Sequence, residues 1–163
     1  MLNRHDMKGE LTVEGLIQTI NEIVKYGLQP NLVISDKEKM LEKNLLKLYL
    51  MSLDVEYEFD GTNYPEYNKP MALNINQIIS SNFNNFGMFR VVFDVLDIND
   101  TQEYVLCDAT CELGEIICDL LEIKWRIETN SLDDGLWYFS FIFASHTQRH
   151  ILDLLTYLRE RRS

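Results

Sequence analysis

The chain is short of the residues that build several protein classes. Its 163 residues include only 3 cysteines, 3 prolines and 7 glycines, and 15 basic side chains face 26 acidic ones. The resulting formal charge of −11 argues against a protein that grips phosphate backbones, because that affinity rests on clustered Lys and Arg. It argues equally against adsorption to anionic lipid. The glycines never cluster as a phosphate loop or a dinucleotide fingerprint requires. No stretch offers the roughly 20 apolar residues of a membrane span. The uncharged, aromatic-rich run Gly135 to Gln148 carries Ser140, Ser145 and His146. The opening MLNRHDMKGELTVEG lacks the apolar core of an export signal. Cys107, Cys111 and Cys118 are odd in number and fit no paired zinc knuckle. On one helix Cys111 and Cys118 stand too far apart for a disulfide. The expectation is reduced, partly buried thiols in a cytoplasmic protein.

Hydrophobic residues make up 46% of the chain, enough for one compact domain of this length to bury about 70% of the surface its unfolded chain exposes. The apolar periodicity predicts an all-α, single-domain bundle of about five helices spanning residues 1–163. Val13, Leu16, Ile17, Ile20, Ile23 and Val24 form the stripe of a first helix ending near Tyr26, with Thr12 as its cap. Ser35-Asp36-Lys37-Glu38 reads as a capping box. It opens a second helix to about Leu53 whose inner face includes Met40, Leu41, Leu45, Leu48 and Tyr49. Residues 54–71, punctuated by Asp60-Gly61, Pro65 and Pro70, read as a long surface loop of the kind that is often functional or mobile. A third helix is expected from Ile75 to Phe86. Met88 to Val95 is ambiguous between helix and strand, and Asp97 to Thr101 reads as a turn.

A fourth helix, about Thr110 to Ile127, presents Leu113, Ile116, Ile117, Leu120 and Ile123 on one face. Asn130 and Ser131 break and re-cap the chain before a final helix from about Leu132 to Arg159. The aromatic run Leu136 to Ala144 within it is apolar nearly all round, which predicts an enclosed, central position. A strand competes there because aromatics favour strands. The four-residue rhythm that continues to Leu158 favours helix.

The stretch Glu112-Leu-Gly-Glu-Ile-Ile-Cys-Asp-Leu-Leu, followed by Leu136 to Leu152 with its His-Thr-Gln-Arg-His core, resembles a bacterial family, domain of unknown function 5063. That family pairs an acidic helix with a helix bearing an aromatic run and a His-Trp-Gly-x-His motif. Thr147-Gln148 stands here in place of the Trp-Gly pair, Ile117 in place of an aromatic, and Glu115 in place of an Asp. The resemblance implies a helical domain of bacterial origin with no established activity, and it points to Glu112, Glu115, Asp119, His146 and His150.

The residues select the same group independently. His146 and His150 are four apart on a helix, so both project to one side, the spacing by which two imidazoles share a divalent metal. Glu112, Glu115, Asp119 and Glu122 share one side of the preceding helix. Carboxylates on one helix facing histidines on its neighbour are the ingredients of a bundle-core zinc, manganese or iron site. The plainer reading is a metal-free polar clamp between helices, with the carboxylate row as a solvated face. No nucleophile elbow is present.

Two surfaces are candidate partner contacts. Lys39, Lys43 and Lys47 make a basic stripe on the second helix, and Tyr57, Phe59 and Tyr64 bring aromatic anchors to the long loop. Taken together, the sequence predicts a non-enzymatic module that binds another protein, with no role for nucleic acid, membrane or cofactor. The alternative is a metal-binding protein or metal-dependent enzyme built on His146, His150, Glu112, Glu115 and Asp119.

Overall fold

The computed structural model describes residues 12–99 and 104–163. The expectation of no export signal falls on residues outside this range, as do the last two positions of the Asp97–Thr101 turn. The elements are α1 (Val13–Leu28), α2 (Lys37–Ser52), α3 (Ala72–Asn82), β1 (Met88–Val91), β2 (Val105–Asp108), α4 (Ala109–Thr129), α5 (Leu132–Ile142), a π-helical turn (Phe143–Thr147) and α6 (Gln148–Arg161). The predicted helical bundle is the architecture observed, joined by one small antiparallel hairpin in which Met88 pairs with Asp108 and Val91 with Val105.

Helix α1 starts where Thr12 accepts a hydrogen bond from Gly15 N. It ends where the buried Asn82 of α3 donates to Tyr26 O and Gln29 O and accepts from Leu32 N. That single side chain satisfies the free carbonyls of a helix end and locks α1 to α3. Helix α3 stops at Asn82, short of the expected Phe86. Phe83 and Phe86 instead leave the helix, stack on each other, and lead into β1. The predicted capping box does not form. Asp36, at φ +52°, is the N-cap of α2 and makes no side-chain cap bond. The N-cap thus falls one residue after Ser35, the head of the predicted box, on an Asp in the left-handed conformation that this short polar residue tolerates. Met40 lies on the outer side of α2, and the core takes Leu41, Leu45, Leu48 and Met51.

The central element is α4, not the aromatic run. It packs against α1, α3, α5 and α6, and its Leu113, Ile116, Ile117, Leu120 and Ile123 are fully buried. Helix α5 lies so close that a Cβ on Gly135 would come within 2.8 Å of Ile127 N, so this crossing requires glycine. Within the aromatic run, Leu136, Tyr138, Phe139 and Phe143 are buried while Trp137 and Phe141 are exposed. Ser131 caps α5 by accepting from Asp134 N, as its position after Asn130 predicts. From Leu132 to Arg161 the chain is one continuous rod. Phe143, Thr147 and Gln148 all keep right-handed helical backbone angles across the π turn. Among the described residues no helix is long and apolar enough to cross a membrane.

Candidate functional site

Helix α4 and the terminal rod run antiparallel, and this pairs carboxylates of one with polar groups of the other in reverse order. Glu112 meets His150, with His150 Nδ1 2.6 Å from Glu112 Oε2. Asp119 meets His146 and Thr147. His146 Nδ1 lies 2.7 Å from Asp119 Oδ2, and Thr147 donates to the same oxygen at 2.7 Å. Glu122 accepts from the Tyr138 hydroxyl at 2.9 Å. The plainer sequence reading, a solvated carboxylate row, therefore needs correction, because Glu112, Asp119 and Glu122 are buried. A helix enclosed by four neighbours has little circumference left for water. Glu115 alone of the four stays half-exposed.

The π turn makes the double contact to Asp119. Its wide backbone lets the consecutive side chains of His146 and Thr147 both reach one carboxylate oxygen, and Thr147 Oγ1 also lies 3.3 Å from Ile142 O, a carbonyl loosened by the irregular turn. Single π turns inside α-helices occur often at functional sites.

Both imidazoles thus place Nδ1 against a buried carboxylate, which makes each Nδ1 an N–H donor. The two Nε2 atoms are left facing each other at 3.1 Å. A carboxylate–imidazole–imidazole–carboxylate chain results, running Glu112, His150, His146, Asp119. One proton between the Nε2 atoms completes it as an unbroken set of hydrogen bonds. The hydrogen bond to Glu112 raises the His150 pKa above its ordinary 6.5, against the opposing effect of burial. The chain continues outward, since the Cys107 thiol is pushed up to about 11 by burial and by its hydrogen bond to Glu112. Cys107, Cys111 and Cys118 are all free, and all three thiols are raised above their ordinary value, which makes them poor nucleophiles at neutral pH. Cys111 is exposed rather than partly buried.

A cleft of about 490 Å³ opens beside His146. Its walls include Glu115, Asp119, Lys69, Ser145 and Phe141. Among the described residues, as their side chains stand, no group of three or more His, Cys, Asp or Glu is placed to hold a metal ion.

The other predicted sites are dispersed. Lys39, Lys43 and Lys47 stand exposed along α2. Tyr57 and Phe59 are exposed, whereas Tyr64 is turned inward and donates to Asp60 Oδ2 at 2.6 Å. Its hydroxyl is therefore committed to the loop and is not free to anchor a partner. Asp60 also accepts from Ser131 Oγ and Thr62 N, and Tyr67 packs on Trp125, so the long loop is fastened to the α4–α5 corner. These three hydrogen bonds, with Ser131 the strongest, hold the Asp60 carboxyl well below its ordinary range. A depressed carboxylate stabilises the folded state fully above its unfolded pKa of about 3.9 and progressively less as pH falls below it. Asp60→Asn should therefore free the loop at neutral pH. Chymotryptic cleavage after Tyr57, Phe59 or Tyr67 should become several-fold faster, and unchanged cleavage would show that Asp60 does not hold the loop.

Sequence reasoning missed one further surface. The hairpin and its connecting segment expose Met88, Val92, Phe93, Val95, Leu96, Ile98 and Leu106, with Leu96 86% and Ile98 90% accessible. The available signal was the apolar spacing of Val92 to Ile98, which the sequence reading divided between an ambiguous element ending at Val95 and a turn beginning at Asp97.

The fold and site together define a helical bundle protein with a histidine–carboxylate chain between two antiparallel helices and an apolar hairpin on its flank. None of the family models, curated proteins or solved structures compared with the chain matches it.

Proposed function

We propose that this protein is an interaction module that holds an extended, apolar segment of a protein partner against its β-hairpin, with basic residues of the segment beside Asp94 and Asp97. The observation that carries this reading is the row of large apolar side chains left in water from Val92 to Ile98. Exposed apolar groups concentrated on one element mark interaction sites. Covering Phe93, Leu96 and Ile98 is worth about 1.5–3 kcal/mol each. Among the described residues β1 and β2 pair only with each other, so their outer edges offer backbone groups to an added strand.

The platform is anchored. Arg149 donates to Val92 O and Phe93 O, the Tyr157 hydroxyl accepts from Gly87 N, and Phe89 packs on Tyr157. A groove of about 400 Å³ between the hairpin and α6, lined by Val91, Val92, Val95 and Leu152 among others, can take an apolar side chain. The acidity of the chain supplies the charge preference, since Asp94 and Asp97 are exposed beside the apolar row and the formal charge is −11.

A photo-crosslinking residue in place of Phe93 should yield a discrete adduct with another protein in cells. The adduct should be lost on Leu96→Asp or Ile98→Asp, and its yield should fall at high salt. The same probe in place of exposed Leu53, just past the end of α2, should give none. No adduct at position 93, an adduct indifferent to Leu96→Asp, or a product of two copies of this chain would overturn the reading.

A further inference from the structure

We propose that His146 and His150 bind a divalent transition-metal ion through their Nε2 atoms, with the Glu115 carboxylate as third ligand and the remaining position open to the cleft beside His146. Each Nδ1 is fixed on a buried carboxylate, His150 on Glu112 and His146 on Asp119, so each Nε2 is left with its lone pair. Carboxylate, imidazole and metal in that order is the usual arrangement around ligating histidines. The lone pairs then face each other across 3.1 Å, a repulsive contact unless a cation lies between or beside them. Two metal–nitrogen bonds of about 2.0–2.1 Å meeting near the tetrahedral angle hold their nitrogens about 3.3 Å apart. The observed spacing is thus close to that of two imidazoles on one ion, without backbone movement.

Charge favours a divalent ion over the proton that could also bridge the rings. Three carboxylates, Glu112, Glu115 and Asp119, surround two imidazoles. Of the nearby cations, Arg149 is committed to Asp153 and the hairpin carbonyls, and Lys69 on the cleft wall stays largely in water. One proton leaves this cluster at −2, whereas a divalent ion brings it to −1. The third ligand follows by elimination. Glu112 and Asp119 are occupied in orienting the rings, while Glu115 is half-exposed with Oε2 3.9 Å from His146 Nε2. The observed side chains do not make a three-ligand set, and a rotamer change of this half-exposed carboxylate, now only loosely paired with His146, would complete one. Glu112 and Asp119, which the sequence grouped with the ligands, become positioning residues.

The test uses the full chain stripped with chelator and titrated with Zn²⁺ by calorimetry and with Co²⁺ by visible absorption. One ion per chain is expected, together with a Zn²⁺-dependent rise in melting temperature. His146→Ala and His150→Ala should abolish both. Glu112→Gln and Asp119→Asn should retain the stoichiometry with affinity about 10–100-fold weaker. Glu115→Gln, at a half-exposed position that the fold does not need, should weaken binding and change the Co²⁺ spectrum even if a histidine variant fails to fold. Absence of stoichiometric binding overturns the proposal. So does Zn²⁺ held equally well by His146→Ala, which would assign it to the free thiols, or binding and spectrum unaltered by Glu115→Gln.

Discussion

Arg126→Met is expected to cost the fold about 3–5 kcal/mol, because it strands two buried carboxylates. Arg126 donates through Nε and Nη2 to Glu122 Oε1 at 3.1 and 2.9 Å, and through Nη1 to both oxygens of Asp134 at 3.2 Å. Its guanidinium also lies over the Tyr138 ring. The arginine side chain is 20% accessible, against 7% for Glu122 and 11% for Asp134, so solvent can replace little of what is lost. Lys69, 3.9 Å from Glu122 and largely in water, is too exposed to take over. Much of the penalty comes from uncompensated charge rather than from loss of an attraction. Adding Glu122→Gln and Asp134→Asn to Arg126→Met should therefore restore most of the stability, a non-additivity expected for one network. Urea unfolding followed by circular dichroism measures all three states. A single-variant loss below about 1 kcal/mol would mean that the network behaves as a surface ion pair.

Phe139→Ala should be comparably severe, at about 3–5 kcal/mol. Phe139 is fully buried and meets Phe143 edge-on with ring centroids 5.5 Å apart. It belongs to the core between α5 and α4, where a shortened side chain leaves a void that rigid helices cannot collapse to fill. Phe141→Ala on the same helix should cost well under half as much, because that ring is 54% accessible. Thermal unfolding of the two variants tests the division of this aromatic run into an inner and an outer side. Equal losses would contradict it.

The contrast between those neighbours shows what one-dimensional patterning conveys and what it omits. Helices were legible wherever apolar residues kept a three- and four-residue step over several turns, as from Leu16 to Val24 and from Leu113 to Ile123. The histidine pair and the facing carboxylates were legible as a set, since spacing alone puts each group on one side of its helix. Their roles were not legible. Whether Glu112 or Glu115 lies under the neighbouring rod depends on the crossing geometry, which no local pattern encodes. Nor could the pattern show that Trp137 and Phe141 remain in water, because an aromatic run looks the same whether one face or all of it is covered. The hairpin escaped for a different reason. Val105 to Asp108 is four residues long and runs directly into α4, too short for alternation to be distinguished from the start of a helix. Asp36 shows the limit of motif reading. The letters of a capping box were present, but the helix begins one residue later, at a left-handed Asp36 that makes no cap bond.

The wide turn at Phe143–Thr147 has a simple angular consequence. Phe139, Phe143, Thr147 and Ile151 are all buried, each four residues after the last. In a regular α-helix every such step overshoots a full revolution by about 40°, so three would carry the lining about 120° around the rod. One surplus residue absorbs about 100° of that drift, and the lining stays straight. The surplus is thus equivalent to a single-residue insertion threaded into a helix without breaking it. A sequence shorter by one in this stretch could line the same core with unmodified pitch. Aligning such a sequence to this one calls for a one-position gap inside the helix, and a gapless match would misassign every lining position beyond it.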